Sequence, residues 1–155
     1  MLSTARLPRS PSGWTMAVFG ALAAALGVVG LVSPDTMIRL MGLDPISAAH
    51  RADGDHTLLF LTASSMAALN MGVYYVLAAL TDWKPFFRWT VPFRLLTCTV
   101  FTLAVVTGRA PAGFLGVGLW EGLGALATGL ALRYEKRTAG TEGAASSGGS
   151  QASGA

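Results

Sequence analysis

The chain has 155 residues, 52% of them hydrophobic and 12% charged, where an ordinary soluble domain carries about 25% charge. That is too little charge to coat a water-facing surface, and the length allows one domain at most. The net charge of +3 does not point to nucleic acid, because Lys and Arg fall between apolar runs and form no basic stripe. The one cysteine, Cys98, excludes an intramolecular disulfide and any Cys-x-x-Cys chemistry.

Residues 1–13 read as an N-terminal tail carrying Arg6 and Arg9. From Trp14 to Ser33 the chain is uncharged for twenty positions, or ~30 Å of helix, the thickness of a bilayer core. This run exceeds the ~7–15 apolar residues of a signal-peptide core, so a retained helix is expected. Cleavage after the small residues Ala23, Ala24 and Ala25 is the alternative. Ser33-Pro34-Asp35-Thr36 then opens a short interfacial helix that Gly42 stops. A polar loop, His50 to His56, leads into the second span, with Asp55 expected to cap it.

The second span runs from Thr57 to Thr81 without a charge. Asp82-Trp83-Lys84-Pro85 is a tight connection to the third, Phe86 to Gly108, which contains Arg88 and Arg94. Arg109-Ala110-Pro111 leads to the fourth, Ala112 to Leu132, interrupted only by Glu121. Residues 134–155 hold little apolar bulk and read as a disordered tail. The predicted fold is therefore an all-α polytopic membrane protein, a bundle of four transmembrane helices over residues 14–133. In lipid each helix satisfies its own backbone hydrogen bonds.

Seven Lys and Arg residues fall on the side of the two termini and three on the other. The positive-inside bias then predicts that both termini are cytoplasmic, in a multi-pass protein of the plasma membrane. Trp14, Trp83, Trp89 and Tyr134 mark the same interface.

Three residues are costly at their depth: Asn70, Arg94 and Glu121. Counted along antiparallel helices, they come within about four residues of a common level, or ~6 Å. A charge near the bilayer centre costs ~2.5–3.5 kcal/mol on insertion scales. An Arg94–Glu121 ion pair is therefore expected, with Asn70 as a third, hydrogen-bonding member. Small residues around Glu121 (Gly118, Gly122, Gly124, Ala125, Thr128) permit close helix approach. Ala63, Met66, Ala67 and Tyr74 share the Asn70 face, which is expected to look inward. Leu119, Leu123, Leu126 and Leu130 are expected to meet lipid. The cluster has two readings: it fixes helix register, or it lines a pocket for a polar head group, a quinone-like ring or a proton.

Other constellations carry less. His50, Asp53, Asp55 and His56 are ligand types for a metal, but their spacing matches no established site, and none is predicted. Both histidines lie outside the bundle, which leaves haem without axial ligands. No nucleophile stands beside Asp53 or His56, so no catalytic residue is assigned.

The pattern Pro34…Met41-Gly42-Leu43, Gly72-Val73-Tyr74-Tyr75, Arg94 and Glu121-Gly122 resembles the DoxX-like group of small bacterial four-helix membrane proteins, over roughly residues 14–133. The resemblance implies an accessory membrane subunit, with a link to quinone-dependent oxidoreductases in some members, and no catalytic motif. Three functions follow as expectations. The first is a non-enzymatic accessory or assembly subunit with a membrane protein partner or as a homodimer. The second is a quinone- or lipid-interacting subunit of an oxidoreductase, with Tyr74, Arg94 and Glu121 near the head group. The third is a small transporter acting as a dimer.

Overall fold

A computed structural model describes residues 7–45, 47 and 50–149, with side chains through Thr141. The described residues form five helices: α1 (Pro11–Val32), α2 (Pro34–Leu40), α3 (Thr57–Leu80), α4 (Lys84–Val106) and α5 (Phe114–Gly149). All but α2 are long and apolar enough to cross a membrane. The chain is thus an all-α, multi-pass membrane protein of four spanning helices.

Helix α1 starts three residues before the uncharged run. The Ser10 hydroxyl accepts from the Gly13 N–H at 3.1 Å, and Pro11 takes the first helical turn, where it has no N–H to lose. The short helix α2 ends as its sequence predicts, with Gly42 at φ 74°, a conformation that side chains disfavour. Helix α5 departs furthest from expectation. It continues unbroken from Phe114 to Gly149, so residues 134–149 are helical where composition predicts disorder. Extending a packed helix needs no new nucleation, and Ala, Glu, Lys and Arg after Leu132 support propagation. At 36 residues it measures ~54 Å, well beyond the ~30 Å hydrocarbon core. The rest of the expected tail, residues 150–155, and the start of the N-terminal tail, residues 1–6, lie outside the described residues.

Asp55 supports the start of α3 from one position further out than expected, since His56 directly precedes the helix. Its carboxylate accepts from the Thr57 hydroxyl and from the Thr57 N–H at 2.9 Å. These bonds, with the nearby Arg51 charge, hold its carboxyl below the usual carboxylate range. The folded value is depressed, so the cap's contribution is present above about pH 4 and is lost as the pH falls through the folded value. Hydrogen exchange in the first turn of α3, corrected for intrinsic rates, should rise on acidification through that range. The rise should disappear in Asp55→Asn.

Helices α1 and α3 pack backbone to backbone. A Cβ at Gly27 would lie 2.7 Å from the Ser65 carbonyl oxygen, and one at Gly72 would lie 2.5 Å from that of Gly20. Helices α4 and α5 form the second tight pair, and α1 joins the two pairs through α5. The best-packed core (Met16, Phe19, Tyr75, Ala78, Ala79 and Phe87) sits in the half nearest the termini. Elsewhere the helices are greasy outward: Leu119, Leu123, Leu126 and Leu130 are all more than half exposed, as a lipid-facing stripe requires.

Candidate functional site

Arg94 projects from the middle of α4 and is 3% exposed. Its Nε donates to Glu121 Oε2 of α5 at 3.0 Å. The short α4–α5 connection makes these helices neighbours and brings the two depths together. The guanidinium carbon also lies 3.4 Å from the centre of the Phe19 ring of α1, and 6.0 Å from that of Tyr75 of α3. A stacked aromatic face supplies some of the electrostatic attraction that water would otherwise provide.

The pairing is incomplete. Nη1 and Nη2 of Arg94 are buried and have no hydrogen-bond partner among the described residues. Together they carry four N–H donors. Buried, unpaired donors are costly, more so on a charged group. Gly124 makes the position attainable, because a Cβ there would overlap Nη2.

Helices α1 and α5 flank a lateral groove of about 500 Å³, lined by residues including Trp14, Val18, Phe19, Leu22, Trp120 and Gly124 but not by Arg94 itself. That is the size range of small-molecule sites. Phe19 and Trp120, both in its lining, stack with ring centroids 4.6 Å apart. Two groove residues therefore touch the buried charge: Phe19 covers its face, and Gly124 backs its Nη2.

Two expected members stand elsewhere. Asn70 and Tyr74 are exposed on the outer side of α3 and do not join Arg94 and Glu121. Residues 61, 65, 72, 75 and 79 form the buried stripe instead. Gly72 and Ser65 meet α1 at Gly20, Gly27 and Gly30. Asn70, two residues before Gly72, lies about 200° around the helix from it. Close backbone contact along a whole helix outweighs the placement of one carboxamide. Tyr75, the neighbour of Tyr74, takes the inward place. Phe19, Tyr75, Trp120 and Gly124 were not assigned to the site from sequence; the seven-residue spacing of Gly20 and Gly27, matched by Ser65 and Gly72, is the signal that orients α3.

A second polar cluster, also unexpected, ties the ends of the bundle together. Glu135 of α5 accepts from the Ser12 N–H at 2.7 Å and from Lys84 Nζ at 2.6 Å. Lys84 also reaches Asp82 at 3.2 Å, and Ser10 donates to the same Asp82 carboxylate. Both ends of the spanning domain therefore lie on one side. These groups are partly exposed, so each pair contributes about 1 kcal/mol or less.

On the opposite side, Asp55 is paired with Arg51 at 3.5 Å, and His50 shares a hydrogen bond with Ser47 at 2.7 Å. Among the described residues, no three His, Cys, Asp or Glu side chains gather as a metal site. Comparison with protein-family models, with curated proteins and with solved structures gives no match.

Proposed function

We propose that this chain is a non-enzymatic accessory protein of a bacterial inner membrane, with both termini cytoplasmic, that holds a carbonyl-bearing lipophile. The head of that molecule accepts from Arg94 Nη1 and Nη2, and its chain lies along the α1–α5 groove. The observation that carries the reading is the buried guanidinium, unpartnered at two nitrogens among the described residues and in contact with two residues of an apolar groove. Glu121 already balances the Arg94 charge, so a neutral acceptor suits the site better than a phosphate, whose charge would be left uncompensated in low dielectric. A quinone ring and an ester lipid share this carbonyl chemistry. Entry requires the Phe19 ring to turn aside, since it covers the guanidinium. The excess of Lys and Arg on the terminal side supports the orientation, and the DoxX-like pattern supports the bacterial membrane and the accessory role.

Two measurements on protein in bilayer nanodiscs test this reading. Titration with a long-chain quinone should quench tryptophan fluorescence saturably in the wild type and only weakly when both groove tryptophans are replaced, in Trp14→Phe with Trp120→Phe. Mass spectrometry of the purified complex should show about one retained lipophile per chain, either quinone or ester lipid, and its loss in Gly124→Val. A retained-lipid composition identical to the bulk membrane, together with non-saturable quenching, would refute the reading.

A further inference from the structure

The outer side of α3 carries a polar group that has no hydrogen-bond partner among the described residues. Along this helix Ala63, Asn70 and Leu77 recur every seven residues, with Met66, Ala67, Val73 and Tyr74 between them, and all are exposed. This is the seam pattern of a helix that packs against another nearly parallel helix. Helix α3 packs on α1, and to a small extent on α2, along its opposite stripe, so the seam is free among the described residues.

Asn70 is the fourteenth of 24 residues in α3, close to mid-membrane. Three hydroxyls of the spans return their protons to their own helix: Ser64 to the Leu61 carbonyl at 2.9 Å, Thr97 to Phe93 at 3.0 Å and Thr99 to Leu95 at 2.9 Å. The Asn70 carboxamide makes no such bond among the described residues. It presents two N–H donors and a carbonyl acceptor where hydrocarbon offers nothing in return.

We propose that α3 is the seam of a homodimer, with Asn70 of one copy hydrogen-bonded to Asn70 of a second copy at the centre of the membrane. The choice of occupant follows from symmetry. All copies insert with the same orientation, so a two-fold axis relating them stands along the membrane normal. Each residue on that axis then meets its own counterpart at equal depth. A carboxamide is both donor and acceptor, so two of them satisfy each other reciprocally, and the second copy supplies the matching group automatically. Ala63 and Ala67 let the backbones approach at this level. The seam lies away from the α1–α5 groove and leaves it open.

The test uses the full chain in lipid bilayers, with Cys98→Ala to remove the one native thiol. Ala67→Cys should form an inter-copy crosslink under oxidation, whereas Leu123→Cys on the outer side of α5 should not. In bilayers of fixed protein-to-lipid ratio, single-molecule photobleaching should show Asn70→Leu lowering the dimer-to-monomer ratio about tenfold. Asn70→Gln, which keeps the carboxamide, should retain most of the dimer. Monomers at every density, equal crosslinking at both positions, or an unchanged dimer fraction in Asn70→Leu would each overturn the proposal.

Discussion

Glu121→Leu should destabilise the protein by about 3–5 kcal/mol, because it leaves the Arg94 guanidinium buried without its counter-charge. The single Nε–Oε2 bond at 3.0 Å is the only hydrogen bond that the Arg94 side chain makes among the described residues. Glu121→Gln should be milder, since the amide oxygen still accepts from Nε while the charge is lost. The informative variant is the double one. Replacing both members of a buried pair by apolar residues of similar volume is often neutral or stabilising, so Arg94→Met with Glu121→Leu should recover most of the stability lost in the single change. It should nevertheless fail to retain a lipophile, because the four Nη–H donors are gone. Reversible unfolding in mixed micelles gives the stabilities, and mass spectrometry gives the retention. This combination separates the two roles of the pair: a purely structural pair would leave retention unchanged in the double variant.

Gly72→Leu should be at least as damaging, with a loss of about 3 kcal/mol or more, at the upper end of overpacking costs. The added Cβ would meet the Gly20 carbonyl and the Ala24 nitrogen, both at 2.5 Å. These are backbone atoms in the middle of α1 and cannot rotate away, so α1 and α3 must separate along their length. Gly129→Ala provides the contrast, since its Cβ would come only within 3.7 Å of Val91 Cγ1. That variant should be neutral or slightly stabilising, as alanine favours the helix over glycine. The same micelle unfolding assay reads both. Equal stability of Gly72→Leu and Gly129→Ala would contradict the backbone-contact geometry of the α1–α3 pair.

The spans were legible in the sequence because charge-free runs of this length have one economical solution in lipid. The Arg94–Glu121 contact was legible for a similar reason: two opposite charges at matched depth on helices joined by a short loop must find each other. Rotation about the helix axis was harder to read. Asn70 has a polar group that argues for the interior, and Gly72 and Ser65 have small side chains that argue for the α1 contact. The two positions lie on opposite sides of one helix, so only one set could be buried. Counting polar groups favoured the wrong side, and the glycine spacing on α1 would have favoured the right one. The exchange of Tyr74 for Tyr75 follows from the same rotation. Residues 134–149 misled because composition reports what a segment does alone, whereas here it extends a helix already anchored by Glu135 to Ser12 and Lys84. That anchor was itself illegible, since its members lie in three segments that only the folded chain brings together.

Magic-angle-spinning NMR on protein with labelled arginine and glutamate, embedded in lipid bilayers, addresses the central geometry directly. The account predicts a through-space contact between Arg94 Nε and the Glu121 carboxyl, assigned by the disappearance of the labelled glutamate signal in Glu121→Gln, with Nη signals that shift when a long-chain quinone is added. Absence of that contact, with Arg94 signals exchanging with water as freely as those of Arg133 or Arg137, would contradict it.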